Sequence, residues 1–104
     1  MTDEQEIEKE IQEKGLTAPR ITPEAIDAEI VSESYYVFPG TSFTACLLTL
    51  RNGYSVLGES ASASLENFNA ELGRKISRAN ARNKIGALAG YQLRSELAGL
   101  IQVK

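Results

Sequence analysis

Glu59, Ser60 and the arginines Arg74, Arg78 and Arg82 are the residues of this 104-residue chain whose types and spacing could do chemistry. The arginines recur every fourth position, so on a helix they share one ridge. Guanidinium groups in such a row, together with the backbone amides at a helix start, can hold a phosphate or carboxylate. A carboxylate and a hydroxyl beside them would complete a polar pocket for a small anionic ligand. The opposing reading is structural: Glu59 accepts backbone amides or pairs with Arg74 or Arg78, locking a strand to the helix, because an unpaired buried carboxylate is costly.

What the chain lacks narrows the chemistry further. Histidine is absent and cysteine occurs once, as Cys46. The commonest general base, the commonest nitrogen ligand and the usual partner of a serine or cysteine nucleophile are thereby removed. Tetrahedral zinc sites of the nitrogen–sulfur kind are excluded, and neither a metal nor a cofactor is expected. A carboxylate-based hydrolase would need two acids converging in a cleft. The chain is therefore read as a non-enzyme. Cys46, flanked by Leu47 and Leu48, is expected to pack as a small hydrophobe. A lone cysteine forms no internal disulfide, which agrees with a reducing compartment.

The elements that must position these residues begin with a hairpin. An apolar strand over 42–51, the turn dipeptide Asn52-Gly53 and a second strand to residue 61 form a two-stranded ribbon. A two-residue Asn-Gly loop pairs Arg51 with Tyr54, Thr49 with Val56 and Leu47 with Gly58. That register puts Glu59 opposite Cys46, on a face shared with Leu48, Leu50 and Leu57. Both faces of the first hairpin strand are apolar, so it is expected to be central and covered on both sides.

Helices follow on both flanks. Ser64 caps a helix over about 65–84, with Phe68, Leu72, Ile76 and Ala79 as its core stripe. Gly86 and Gly90 then predict a break or kink before a second helix over about 88–99. Upstream, Thr22-Pro23-Glu24 starts a helix that runs to about Val31 and buries Ile26 and Ile30. The dipeptide Pro39-Gly40 ends a strand over 34–38. The fold class is α+β: a small antiparallel sheet against a long C-terminal helix, forming one domain over 21–104. Residues 1–20 are an acidic leader, helical or partly disordered, whose helix would stop at Gly15.

Charge is uneven along the chain. Residues 1–33 carry ten acids against Lys9, Lys14 and Arg20, whereas residues 74–104 carry seven bases against Glu96. Such asymmetry predicts electrostatic pairing within or between chains. No stretch reaches the ~20 apolar residues that span a bilayer. The N-terminus is acidic and is no secretory signal, so a cytosolic location is expected.

Leu48-Thr49-Leu50-Arg51-Asn52-Gly53-Tyr54, Gly58-Glu59-Ser60-Ala61 and Asn67-Phe68-Asn69-Ala70-Glu71-Leu72-Gly73-Arg74-Lys75-Ile76 together resemble the small tailed-phage proteins of the gene-49/gene-66 family. Lys84-Ile85 and Gly90-Tyr91-Gln92-Leu93 extend the resemblance, which covers about residues 36–97. The family usually carries Asp-Pro where this chain has Ser64-Leu65, and often Trp-Pro where it has Gly86-Ala87. The resemblance implies a phage or prophage accessory role in the host cytoplasm and transfers no catalytic residue. The expected function is binding of a host protein or small anionic ligand, with interference in host defence or metabolism as a special case. The alternative is a nucleic-acid-associated factor using the Arg74/Arg78/Arg82 face. Apolar sheet faces in so short a chain also predict a homo-oligomer, most simply a dimer.

Overall fold

A computed structural model describes residues 3–16 and 18–101. The parts of the expected leader and C-terminus at residues 1, 2, 17 and 102–104 lie outside it. The elements are α1 (Asp3–Glu13), α2 (Pro23–Ala28), β1 (Ile30–Val37), β2 (Thr44–Leu50), β3 (Ser55–Ser60), a short 3₁₀ turn (Leu65–Asn67) and α3 (Ala70–Leu97). The strands form one antiparallel sheet in the order β1-β2-β3, so the first hairpin strand is central, as its sequence predicts. The fold is α+β, with α3 lying across β2 and β3.

The hairpin exists, but its register differs by one residue from that expected. Thr49 faces Ser55, Leu48 faces Val56, Cys46 faces Gly58 and Ala45 faces Glu59. The cause is the loop. Gly53 N–H donates to Leu50 O at 2.9 Å, Leu50 N–H donates to Tyr54 O at 2.8 Å, and Asn52 Oδ1 accepts from Tyr54 N–H at 2.9 Å. Of the loop residues only Gly53 has positive φ, at 88°. The turn is thus a three-residue loop closed by a left-handed glycine, and the extra residue shifts every pairing after it. A one-residue shift exchanges the faces of the incoming strand. Val56 joins Cys46, Leu48 and Leu50 in the core, while Leu57 and Glu59 turn to the opposite face.

That opposite face is open. Among the described residues no helix covers it, so the expectation of a sheet buried on both sides is corrected to a sheet buried on one. Across β1, β2 and β3 its rows read Ser32, Thr49, Ser55; then Ser34, Leu47, Leu57; then Tyr36, Ala45, Glu59. Tyr36, Phe38 and Phe43 extend it with two edge-to-face ring pairs, at 4.8 and 5.5 Å between centroids.

The helix also departs from its expected form. Ser64 caps only the 3₁₀ turn, its Oγ accepting from Glu66 N–H at 3.2 Å, and α3 starts at Asn69, whose Oδ1 accepts from Leu72 N–H at 3.0 Å. From there 28 residues run without the break expected at Gly86. A helical glycine costs only about 1 kcal/mol, which the burial of Ile85 one residue earlier outweighs. The ridge against the sheet is not Phe68, Leu72, Ile76 and Ala79: Leu72 and Ile76 are exposed. It is Gly73, Ser77, Ala81 and Ile85, the last three being fully buried. Small residues are needed because α3 comes so close to the sheet. A Cβ on Gly58 would lie 2.1 Å from Ser77 O and 2.2 Å from Ala81 N.

Upstream, Thr22 caps as expected, its Oγ1 accepting from Ala25 N–H at 3.1 Å. The helix it starts is shorter than expected, and Ile30 opens β1 instead of closing α2. The five β-branched and aromatic residues in Ile30-Val31-Ser32-Glu33-Ser34-Tyr35-Tyr36-Val37 favour a strand over a continued helix.

One core group is unsatisfied. Thr44 Oγ1 is fully buried under α3 with no hydrogen-bond partner among the described residues. Replacing a hydroxyl by a methyl of the same shape removes that desolvation penalty. Thr44→Val is therefore expected to raise stability by about 1 kcal/mol in urea unfolding. A loss instead would mean that the hydroxyl is bonded.

Candidate functional site

The structure separates the residues that the sequence groups together. Glu59 and Ser60 line a groove of about 400 Å³ between the end of β3 and the first turns of α3. Its lining combines the apolar Phe68, Leu72 and Ile76 with the polar Ser42, Ser62, Asn67, Asn69 and Asn80. Neither Arg74, Arg78 nor Arg82 lines it. The reason is the phase of α3. With Gly73, Ser77 and Ala81 against the sheet, Leu72, Ile76 and Asn80 turn towards β3, and Arg74, Arg78 and Arg82 turn towards β1 and α2.

Glu59 is exposed and does not pair with Arg74 or Arg78 among the described residues. Its backbone is what engages α3: Asn80 Nδ2 donates to Glu59 O at 2.7 Å. Leu50 and Tyr54 are a hydrogen-bonded pair and such pairs alternate, so Ser55, Leu57 and Glu59 aim their backbone groups away from β2. Asn80 thus satisfies one carbonyl on the free edge of β3. Ser60 Oγ donates to Gly73 O at 2.9 Å, a second strand-to-helix tie. Glu59 is the single ionisable residue among those that line the groove. A pair of carboxylates for acid–base work is not assembled there.

The arginines face acids from the first third of the chain. Arg78 Nε donates to Glu33 Oε2 at 2.8 Å. Arg82 is the centre of a larger cluster: Nε donates to Asp27 at 2.7 Å, Nη1 and Nη2 to Glu4 at 2.8 and 3.1 Å, and Nη2 to Pro23 O at 3.3 Å. These pairs hold the Glu33 carboxyl below, and the guanidinium groups above, their ordinary pKa ranges. Arg74 is exposed and joins no ion pair among the described residues. Charge asymmetry along the sequence points to such pairing, and the structure places it within the chain.

Burial raises the Cys46 thiol pKa and, with help from Glu33, pushes Tyr35 up to about 12. Cys46 is fully buried against Leu48 and Ala81 in the core, the packing role expected of it. Among the described residues no three His, Cys, Asp or Glu side chains converge as a metal site, and no helix is long and apolar enough to cross a membrane.

The sequence signals missed one surface. Arg20 Nη1 and Nη2 both donate to the Glu8 carboxylate at 2.6 Å, fixing α1 to the start of the domain. Those two bonds, with one from Gln12, hold the Glu8 pKa down to about 2. Reciprocal charge between the acidic leader and an arginine twelve residues on is the signal that could have found it.

Taken together, these elements define a one-sided α+β domain: three antiparallel strands, one long helix on a single face, and an acidic helix clipped on by arginines. The chain belongs to the phage protein family described as N4 Gp49/phage Sf6 gene 66, whose model matches residues 21–97. Comparison with curated proteins and with solved structures gives no match.

Proposed function

We propose that this chain is a non-enzymatic phage accessory protein that acts in the host cytoplasm by binding other proteins: a second copy of itself and, as a dimer, a host protein. The observation that carries the reading is the open face of the sheet. Tyr36, Phe38, Leu47 and Leu57 are large, apolar and exposed there, with Glu59 as the one charge in the three central rows. Depletion of charge around aromatic and aliphatic side chains characterises the buried centre of protein interfaces. A second copy can bring the same face against it across a two-fold axis, with the sheets stacked roughly 10 Å apart.

A protein partner is favoured over a small anion because no cation lines the groove at Glu59. It is favoured over nucleic acid because Glu33, Asp27 and Glu4 neutralise Arg78 and Arg82. Light scattering is expected to give the mass of two chains for the wild type and of one chain for Leu47→Lys/Leu57→Lys, with unchanged helical circular dichroism. A single-chain mass for the wild type would remove self-association. A host protein retained by the wild type but not by the double variant would support the second half of the reading.

A further inference from the structure

We infer that the surface beneath α1 is a docking site for an acidic amphipathic helix of a partner protein, and that α1 is its displaceable, built-in occupant. The inference rests on the protein-binding reading above and names the chemistry of the partner.

The surface consists of Arg82, Arg20 and an apolar strip of Ile21, Pro23 and Ile26, edged by Glu24 and by Asp27, whose carboxylate takes Arg82 Nε and leaves Nη1 and Nη2 for the occupant. Apart from Arg20, all of it lies within residues 21–97, the segment that matches the family, whereas α1 lies outside that segment. The domain therefore carries a surface that joins guanidinium donors to apolar side chains, and an element appended to the domain covers it.

How α1 is held shows what the surface recognises. Glu4 and Glu8, one turn apart, each receive a two-pronged guanidinium contact, from Arg82 and Arg20 respectively. Paired prongs of this kind select a carboxylate in a fixed orientation. Between the two ion pairs the fit is poor. A cleft of about 380 Å³ remains among Ile7, Ile11, Ile21, Pro23 and Ile26. No residue of α1 is fully buried, and Ile7 remains 58% exposed. Helix α1 is thus held by charge and barely by packing. The Arg20–Glu8 pair is part-buried and only the Glu4 end of the other pair is open to solvent. With so little apolar surface packed beneath them, such contacts weaken with salt and can be taken over by another carboxylate-bearing helix. A helix with the same Glu spacing and bulkier side chains at the positions of Ile7 and Ile11 would keep both arginine contacts and fill the cleft.

The test uses the full chain and a synthetic fluorescent peptide of residues 3–16 in which Phe replaces Ile7 and Ile11. Anisotropy is compared for the wild type and for Glu4→Lys/Glu8→Lys, which repels α1 from both arginines. The opened variant is expected to bind the peptide at least tenfold tighter than the wild type. A second peptide, with Gln in place of Glu4 and Glu8 as well, is expected to bind the opened variant at least tenfold more weakly than the first. No binding to the opened variant, equal binding to both proteins, or equal binding of both peptides would overturn the inference. Because the sheet face is untouched by these changes, the two-chain mass tests the broader reading separately.

Discussion

Gly58→Ala is expected to destabilise the domain by about 3 kcal/mol, at the upper end of what overpacking a core costs. The new methyl would sit 2.1 Å from Ser77 O and 2.2 Å from Ala81 N, both backbone atoms of α3 that no rotamer change can move aside. The helix itself must lift, and it supplies Ser77, Ala81 and Ile85 to the core, so the whole helix–sheet contact loosens. For a domain of this size, whose total stability is of order 5–15 kcal/mol, the melting temperature would fall by roughly 15 °C. Gly90 provides the control. Nothing lies within 4 Å of its Cβ position, so Gly90→Ala adds helix propensity without a clash. It is expected to stabilise by about 0.5–1 kcal/mol. Calorimetry on the two variants should show opposite shifts, and equal shifts would mean that α3 does not rest on Gly58.

The second large effect separates neighbouring leucines. Leu48 is fully buried between the sheet and α3, whereas Leu47 is 40% exposed on the open face. Leu48→Ala is expected to cost about 3–4 kcal/mol, from lost burial and the cavity left behind. Leu47→Ala is expected to cost below about 1 kcal/mol in dilute protein, where self-association contributes little. Urea unfolding of both variants distinguishes a sheet covered on one face from one covered on two. Similar losses for the pair would require a second layer over Leu47.

These contrasts show what local sequence signals carry and where they stop. The hairpin, the central place of β2 and the Thr22 cap were readable because each depends on residues within a few positions of one another. The register was not. Asn52-Gly53 is the signature of a two-residue loop, yet the loop takes three, and this one-residue difference moves Glu59 from an apolar face to an exposed one. Hydrophobicity also misidentified the buried ridge of α3. Phe68, Leu72 and Ile76 have the right spacing, but close approach to Gly58 selects Ser77 and Ala81, and close approach to Thr44 selects Gly73, all of them weakly apolar. Of the candidate site, Glu59 and Ser60 do share a groove, while Arg78 and Arg82 are engaged by acids 45 and 55 residues away. No local pattern encodes a partner at that distance.

Asn80 has a consequence for growth. Two unblocked sheet margins would let copies of this chain add end to end without limit. With its side-chain amide seated on the Glu59 carbonyl, Asn80 already occupies one outward-facing group of the β3 margin, so a further strand could not pair with that margin along its whole length.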